Sequence, residues 1–223
     1  MSVETITIPA IIYPERDGVP VGETDDHRDQ LFDLVFSLKN WLRDQTAYVG
    51  GNLMMYYEEG VPSSVISPDV FVIQGVQQQP RRTYKTWEYS GKFADVVIEL
   101  TSAKTRYEDL GTKRVLYAQL GVREYYLFDP LGEYLKPRLR GYQLLDEELE
   151  PLPGPRMHSR ILNLELQPDG RALRLIDLAS GQRLPIPQEL EAARQREAEG
   201  RAEAEAEVLR LRAELDRLKR LAD

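Results

Sequence analysis

The sequence predicts an α/β domain, a central sheet flanked by helices, followed by a charged C-terminal helix. Three observations carry that expectation. Residues 25–44 place apolar side chains at helical spacing. Residues 94–128 read as strand, helix, strand, the order of a parallel crossover. From residue 188 onward nearly every residue is Glu, Ala, Arg, Leu, Gln or Lys, all strong helix formers. The expected division is a domain over residues 1–187 and a helical extension over residues 188–223.

The first helix is expected from Asp25 to Asp44, with Leu31, Leu34, Val35, Leu38, Trp41 and Leu42 on one face. Thr24, Asp25 or Asp26 would accept hydrogen bonds from its first free amides. Tyr48–Tyr57 reads as a strand entered through Gly50 and Gly51. Val65–Ile73 reads as another, with Pro68 at the start of its apolar half, where a missing amide does least harm. Residues 74–92 are polar and read as a long loop. Ala94–Leu100 is short and rich in β-branched residues, as a buried central strand should be. Thr105–Leu120 has a helical pattern stopped by Gly121, and Val122–Phe128 is the next strand. Shorter strands around Tyr142, residues 161–166 and residues 173–178 are expected to extend or edge the sheet. In the tail, Val208, Leu211, Leu215, Leu218 and Ala222 alternate spacings of three and four, the seam of a coiled coil. Pairing of that helix with another would make the protein a homodimer; packing on its own domain is the competing reading.

Composition narrows the chemistry. The 223 residues hold no cysteine and two histidines, which excludes thiolate zinc sites, cysteine nucleophiles and histidine-rich metal centres. Any metal would be held by carboxylates, which favours Mg²⁺ or Mn²⁺. No GxxxxGK[ST] loop supports ATP-driven work. No apolar run approaches the roughly 20 residues that span a bilayer, and residues 1–9 lack the pattern of a signal peptide. A cytoplasmic protein without a membrane partner is expected. The net charge is −8, yet residues 81–140 hold 12 basic and 8 acidic residues, a local excess of +4. That stretch also holds the candidate chemistry.

Asp69 follows a proline on one strand, Glu99 lies on the central strand, and Lys113 lies on the helix after it. Hydrolysis of a phosphodiester with a hard cation needs acidic oxygens to hold the ion and a cation to stabilise charge on the phosphate. Glu99 is the most informative of the three, because a carboxylate in Val96-Val97-Ile98-Glu99-Leu100 costs several kcal/mol, at order of magnitude, to bury alone. A metal or Lys113 would offset that cost. The alternative is that strand alternation turns Glu99 to solvent or onto a neighbouring arginine.

Ser67-Pro68-Asp69-Val70-Phe71-Val72, Val96-Val97-Ile98-Glu99-Leu100-Thr101-Ser102, Thr105-Arg106, Asp109, Lys113-Arg114, Tyr117-Ala118 and Gly121 to Pro130 together resemble the Uma-two family of restriction-endonuclease-like proteins. The resemblance covers roughly residues 20–180. It implies a restriction-endonuclease-like fold with a mixed central sheet, similar to the PD-(D/E)xK nucleases. It also implies Asp69 and Glu99 as Mg²⁺ (or Mn²⁺) ligands in an endonuclease acting on nucleic acid, with DNA expected. The usual lysine of that motif would fall at Thr101; the family pattern moves it to the following helix, at Lys113, with Lys104 as substitute. His27 stands where the family often has a histidine, and touches the site or caps its helix. Arg81, Arg82 and Lys85, beside Tyr84 and Trp87, and Arg106 near Lys113 are the expected phosphate contacts, against a plain solvated loop. Asp109, four residues before Lys113, is expected to pair with it, and Tyr117 to pack. Two rivals remain: a catalytically inactive nuclease fold kept for nucleic-acid binding or assembly through its C-terminal helix, and a metal-dependent hydrolase of nucleotides.

Overall fold

A computed structural model of the chain describes residues 11–15, 25–103, 105–154 and 156–222, with side chains as far as residue 213. Helix α1 (Asp25–Trp41) starts on Asp25 and Asp26 and carries Lys39 in its last turn, charges that complement the helix dipole. Its Leu31, Leu34 and Leu38, with Leu42 just beyond, are buried as the spacing predicts. The single strand expected over residues 48–57 is two strands, β1 (Ala47–Gly50) and β2 (Met55–Tyr56). The chain breaks at Gly51, where a Cβ would lie 2.8 Å from the Asp69 carbonyl oxygen.

Strands β3 (Val65–Ile66) and β4 (Val70–Gln74) follow. The polar stretch after them is not all loop: it contains β5 (Tyr84–Lys85) and a turn of 3₁₀-helix at Thr86–Tyr89. Tyr84 drives that order, being fully buried, stacked on Tyr89 at 4.8 Å and donating its hydroxyl to the Lys92 carbonyl. Strand β6 (Val96–Leu100) is buried along its whole length. The helix expected over residues 105–120 is broken at Gly111 into α2 (Arg106–Leu110) and α3 (Thr112–Gln119). Gly121, at φ +77°, ends α3 as expected, and β7 (Glu124–Phe128) follows. The remaining strands are β8 (Leu139–Leu145), β9 (Glu148–Pro151), β10 (Met157–Ser159), β11 (Leu164–Asp169) and β12 (Ala172–Asp177), before the long helix α4 (Pro187–Ala222).

The main sheet has the order β1-β4-β6-β7-β8-β9 and is mixed, with β6 and β7 parallel and the other pairs antiparallel. Strands β8 and β9 extend it. Strands β10 to β12 do not; they form a separate antiparallel sheet, and β3-β2-β5 form a third. Because side chains alternate along a strand, Val70, Val72, Val96, Ile98, Leu100 and Phe128 face α1 and the β10–β12 sheet, whose Leu164, Leu166, Leu173 and Leu175 complete that core. Phe71, Ile73, Val97, Tyr125 and Leu127 face the opposite way and share a core with Tyr117 of α3. Odd-numbered residues of β6 therefore point under α3. Side-chain amides close two edges: Gln30 exchanges hydrogen bonds with the Leu173 backbone (2.7 and 3.2 Å), and Gln78 does the same with Val49 on β1 (2.7 and 3.3 Å).

Two compact units divide the chain after Leu184. The second is α4. No described helix is long and apolar enough to cross a membrane.

Candidate functional site

Val70 pairs with Ile98 in the antiparallel ladder of β4 and β6, which sets Asp69 opposite Glu99. The two residues then lock each other. The Asp69 amide donates to Glu99 Oε2 at 3.2 Å, and the Leu100 amide donates to Asp69 Oδ2 at 2.7 Å. Glu99, 1% exposed, takes the buried direction that alternation dictates, so the solvent-facing alternative is excluded.

Past the break at Gly111, Lys113 stands in the first turn of α3, four residues after Asp109 and over the end of β6. Lys113 Nζ lies 3.0 Å from Glu99 Oε1 and 2.9 Å from Asp109 Oδ1. Asp109 is itself 1% exposed, and its backbone carbonyl accepts the Tyr125 hydroxyl at 2.9 Å, which ties α2 to β7. The pairing expected for Asp109 is present. Tyr117, one turn after Lys113, does more than pack: its buried hydroxyl donates to Glu99 Oε1 at 2.6 Å. The four-residue step from Lys113 placed it on the right face, but nothing in the sequence showed that its hydroxyl ends on a carboxylate.

From the other side, the first turn of α1 brings His27 Nε2 to 3.6 Å from Asp69 Oδ1. Asp69 and Lys113 are each 16% exposed at the side chain, and Glu99 lies beneath them. Thr101, where the usual lysine of the nuclease motif would fall, is buried with a hydroxyl that has no hydrogen-bond partner among the described residues.

With every group ionised and His27 neutral, three carboxylates against one ammonium would give this cluster a charge of −2. Burial is the largest influence on Glu99 and raises its pKa; Lys113 and the Tyr117 hydrogen bond pull it down, while Asp69 and Asp109 push it up, and it settles at about 8. At Lys113 burial opposes the charged form, but Glu99 and Asp109 together outweigh it and hold the ammonium above its ordinary range. Tyr117 is raised by burial first and by Glu99 second.

The donor set fits a hard divalent cation. Two carboxylates meet across neighbouring strands, and their surplus negative charge is what such an ion would cancel. Among the described residues no three His, Asp or Glu side chains form a ready-made cage; Mg²⁺ commonly takes one or two carboxylates and completes its shell with water and phosphate.

The other expected contacts have their own partners. Arg81 lies over Tyr48 at 4.2 Å and donates to the carbonyls of Gln77 and Gln79, which ties it into the loop. Arg82 pairs with Glu15 at 2.7 Å, and Lys85 with Glu88 at 3.5 Å. Arg106 lies over Tyr107 at 4.5 Å and donates to its hydroxyl. Lys104 lies outside the described residues. Gly51 is a residue that sequence reasoning missed: it was legible only as a glycine pair, yet it packs on the backbone of Asp69.

A second buried carboxylate makes an instructive contrast. Glu124 accepts hydrogen bonds from the Arg160 and Ile161 amides and from the Tyr126 and Ser159 hydroxyls. The donors it has among the described residues are neutral, and its work is to join β7 to the β10–β11 region.

The family model Uma2, described as "Putative restriction endonuclease", matches residues 13–175. Among solved structures, the chain is similar to one described as a putative nuclease belonging to DUF820 from Anabaena variabilis. The two are 13% identical, with a TM-score of 0.46, over 62% of this chain and 73% of that one. No curated protein matches the chain.

Proposed function

The chain belongs to the Uma2 family, and from that premise we propose that it is a metal-dependent endonuclease that hydrolyses phosphodiester bonds of nucleic acid, DNA in the first instance. Asp69 and Glu99 hold Mg²⁺ or Mn²⁺, and Lys113 serves the scissile phosphate. The observation that carries this reading is the register-locked pair Asp69 and Glu99 with the Lys113 ammonium 3.0 Å from the buried acid.

A bound divalent cation supplies neutralising charge at the phosphate and acidity to a water molecule. The chain's own residues do the rest. Asp109 and Glu99 keep Lys113 protonated and aimed, ready to donate to a phosphate oxygen as negative charge grows there. Tyr117 fixes the Glu99 rotamer from beneath. His27 lies beside Asp69 Oδ1, where a neutral ring would accept a proton and an imidazolium would give one up. The basic excess of residues 81–140 supports a polyanionic substrate.

One observation favours the inactive-scaffold reading: Glu99 Oε1 is engaged by both Lys113 and Tyr117. The deciding experiment incubates wild type, Asp69→Ala, Glu99→Ala and Lys113→Ala with plasmid and single-stranded DNA in Mg²⁺ or Mn²⁺, beside calorimetry of metal binding. Metal-dependent cutting lost in all three variants is the expected result. Neither cutting nor metal binding by wild type would overturn the proposal and leave the scaffold. Metal binding without cutting would keep the metal site and overturn DNA as the substrate.

A further inference from the structure

The tail carries a second kind of information, independent of the acidic site. On α4, Val208 and Leu211 are 47% and 51% exposed. Sequence spacing continues their stripe through Leu215, Leu218 and Ala222, giving a seam with Val208, Leu215 and Ala222 at the a positions and Leu211 and Leu218 at the d positions. An apolar stripe alone would not say what covers it. The flanking charges do.

In this register Glu207 and Glu214 fall at the g positions, and Arg212 and Lys219 at the following e positions. When two helices lie parallel and in register, each g residue meets the e residue of the next heptad across the seam, and such pairs set partner and orientation. Glu207 would meet Arg212 and Glu214 would meet Lys219, twice each across a two-fold axis. In an antiparallel pair g meets g and e meets e, which would set glutamate on glutamate and arginine or lysine on its like. The seam also has an upstream end, because the preceding a position is Arg201 and the d position before that is Glu197. Val208 at a with Leu211 at d favours two strands over three.

We infer that the described protein pairs with a second copy of itself through residues 204–222 of α4, as a parallel, in-register two-stranded coiled coil. The pairing puts two copies of the acidic site into one assembly, whatever that site does.

The test uses the full chain. Sedimentation over a range of concentrations should show the mass rising from 25.7 kDa towards twice that value, and Leu211→Asp should return it to monomer. Replacing both g glutamates (Glu207→Lys with Glu214→Lys) should also give monomer. Adding Arg212→Glu and Lys219→Glu to that variant should restore the dimer, a rescue that a merely unfolded tail would not show. The chain has no cysteine, so Leu211→Cys and Leu218→Cys can each be oxidised alone. A parallel in-register pair crosslinks at both positions; an antiparallel pair brings at most one of them to itself. A monomer at every concentration, a dimer indifferent to Leu211→Asp, or crosslinking at fewer than both positions would overturn the inference.

Discussion

Replacing Glu99 with glutamine should make the protein more stable at alkaline pH while removing the metal-dependent cleavage proposed for it. Glu99 is buried beside two other acids and shares one lysine with Asp109, so its pKa rises from the ordinary 4.5 to about 8. A folded state that holds a proton more tightly than the unfolded chain has its full stability from this group below pH 4.5. It loses that stability as pH climbs through about 8. Each unit of difference is worth about 1.4 kcal/mol. Between pH 5 and pH 9 wild type should therefore lose up to about 4 kcal/mol from this residue alone. In the Glu99→Gln variant the amide does not titrate and still accepts the Tyr117 hydroxyl, so the loss over the same range should be smaller by about 2–4 kcal/mol. Urea denaturation in chelator-treated buffer at pH 5, 7 and 9 measures the difference directly. Adding Mg²⁺ at pH 9 should then raise wild-type stability, because an ion that binds only the folded state stabilises it; Glu99→Gln should respond little. Parallel pH profiles for the two proteins would refute the argument that one proton stays in the cluster near neutral pH.

Other substitutions probe separate links. Tyr117→Phe deletes a 2.6 Å hydrogen bond to a carboxylate, and should cost about 1.5–3 kcal/mol at pH 9, where Glu99 is ionised, and less at pH 5; urea midpoints at the two pH values check it. Gly51→Ala drives a methyl group to 2.8 Å from the Asp69 carbonyl, so it should cost about 1–3 kcal/mol and weaken metal binding by calorimetry, with Gly60→Ala on the surface as a control for metal binding. Glu124→Ala strands two amides and the Ser159 hydroxyl that the carboxylate now satisfies, while the Tyr126 hydroxyl keeps the His158 carbonyl. It should destabilise by about 3 kcal/mol or more, yet leave the metal affinity of the folded fraction unchanged. Metal binding lost with Glu124 but kept without Glu99 would mean that the two buried acids have been assigned the wrong way round.

Local chemistry is what made much of this protein legible. The leucine spacing of α1, the β-branched run of β6 and the stop at Gly121 are decided by residues within a few positions of one another, so they read correctly in one dimension. The carboxylate in β6 was visible for the same reason, as one charge in an apolar run. The break at Gly51 was not, because a glycine in a sequence does not say which distant atom lies against it. At Gly51 that atom is the Asp69 carbonyl. Tyr84 likewise turns an apparent loop into a strand by burying its ring in a core assembled from far along the chain. The site depends on both kinds of information. Residue type and order were enough to mark Asp69, Glu99 and Lys113 as chemically suited to one another. That they meet is a product of folding: antiparallel register sets Asp69 opposite Glu99, and α3 packs Lys113 and Tyr117 onto the buried acid. Strand register is settled by packing against residues that no local pattern contains.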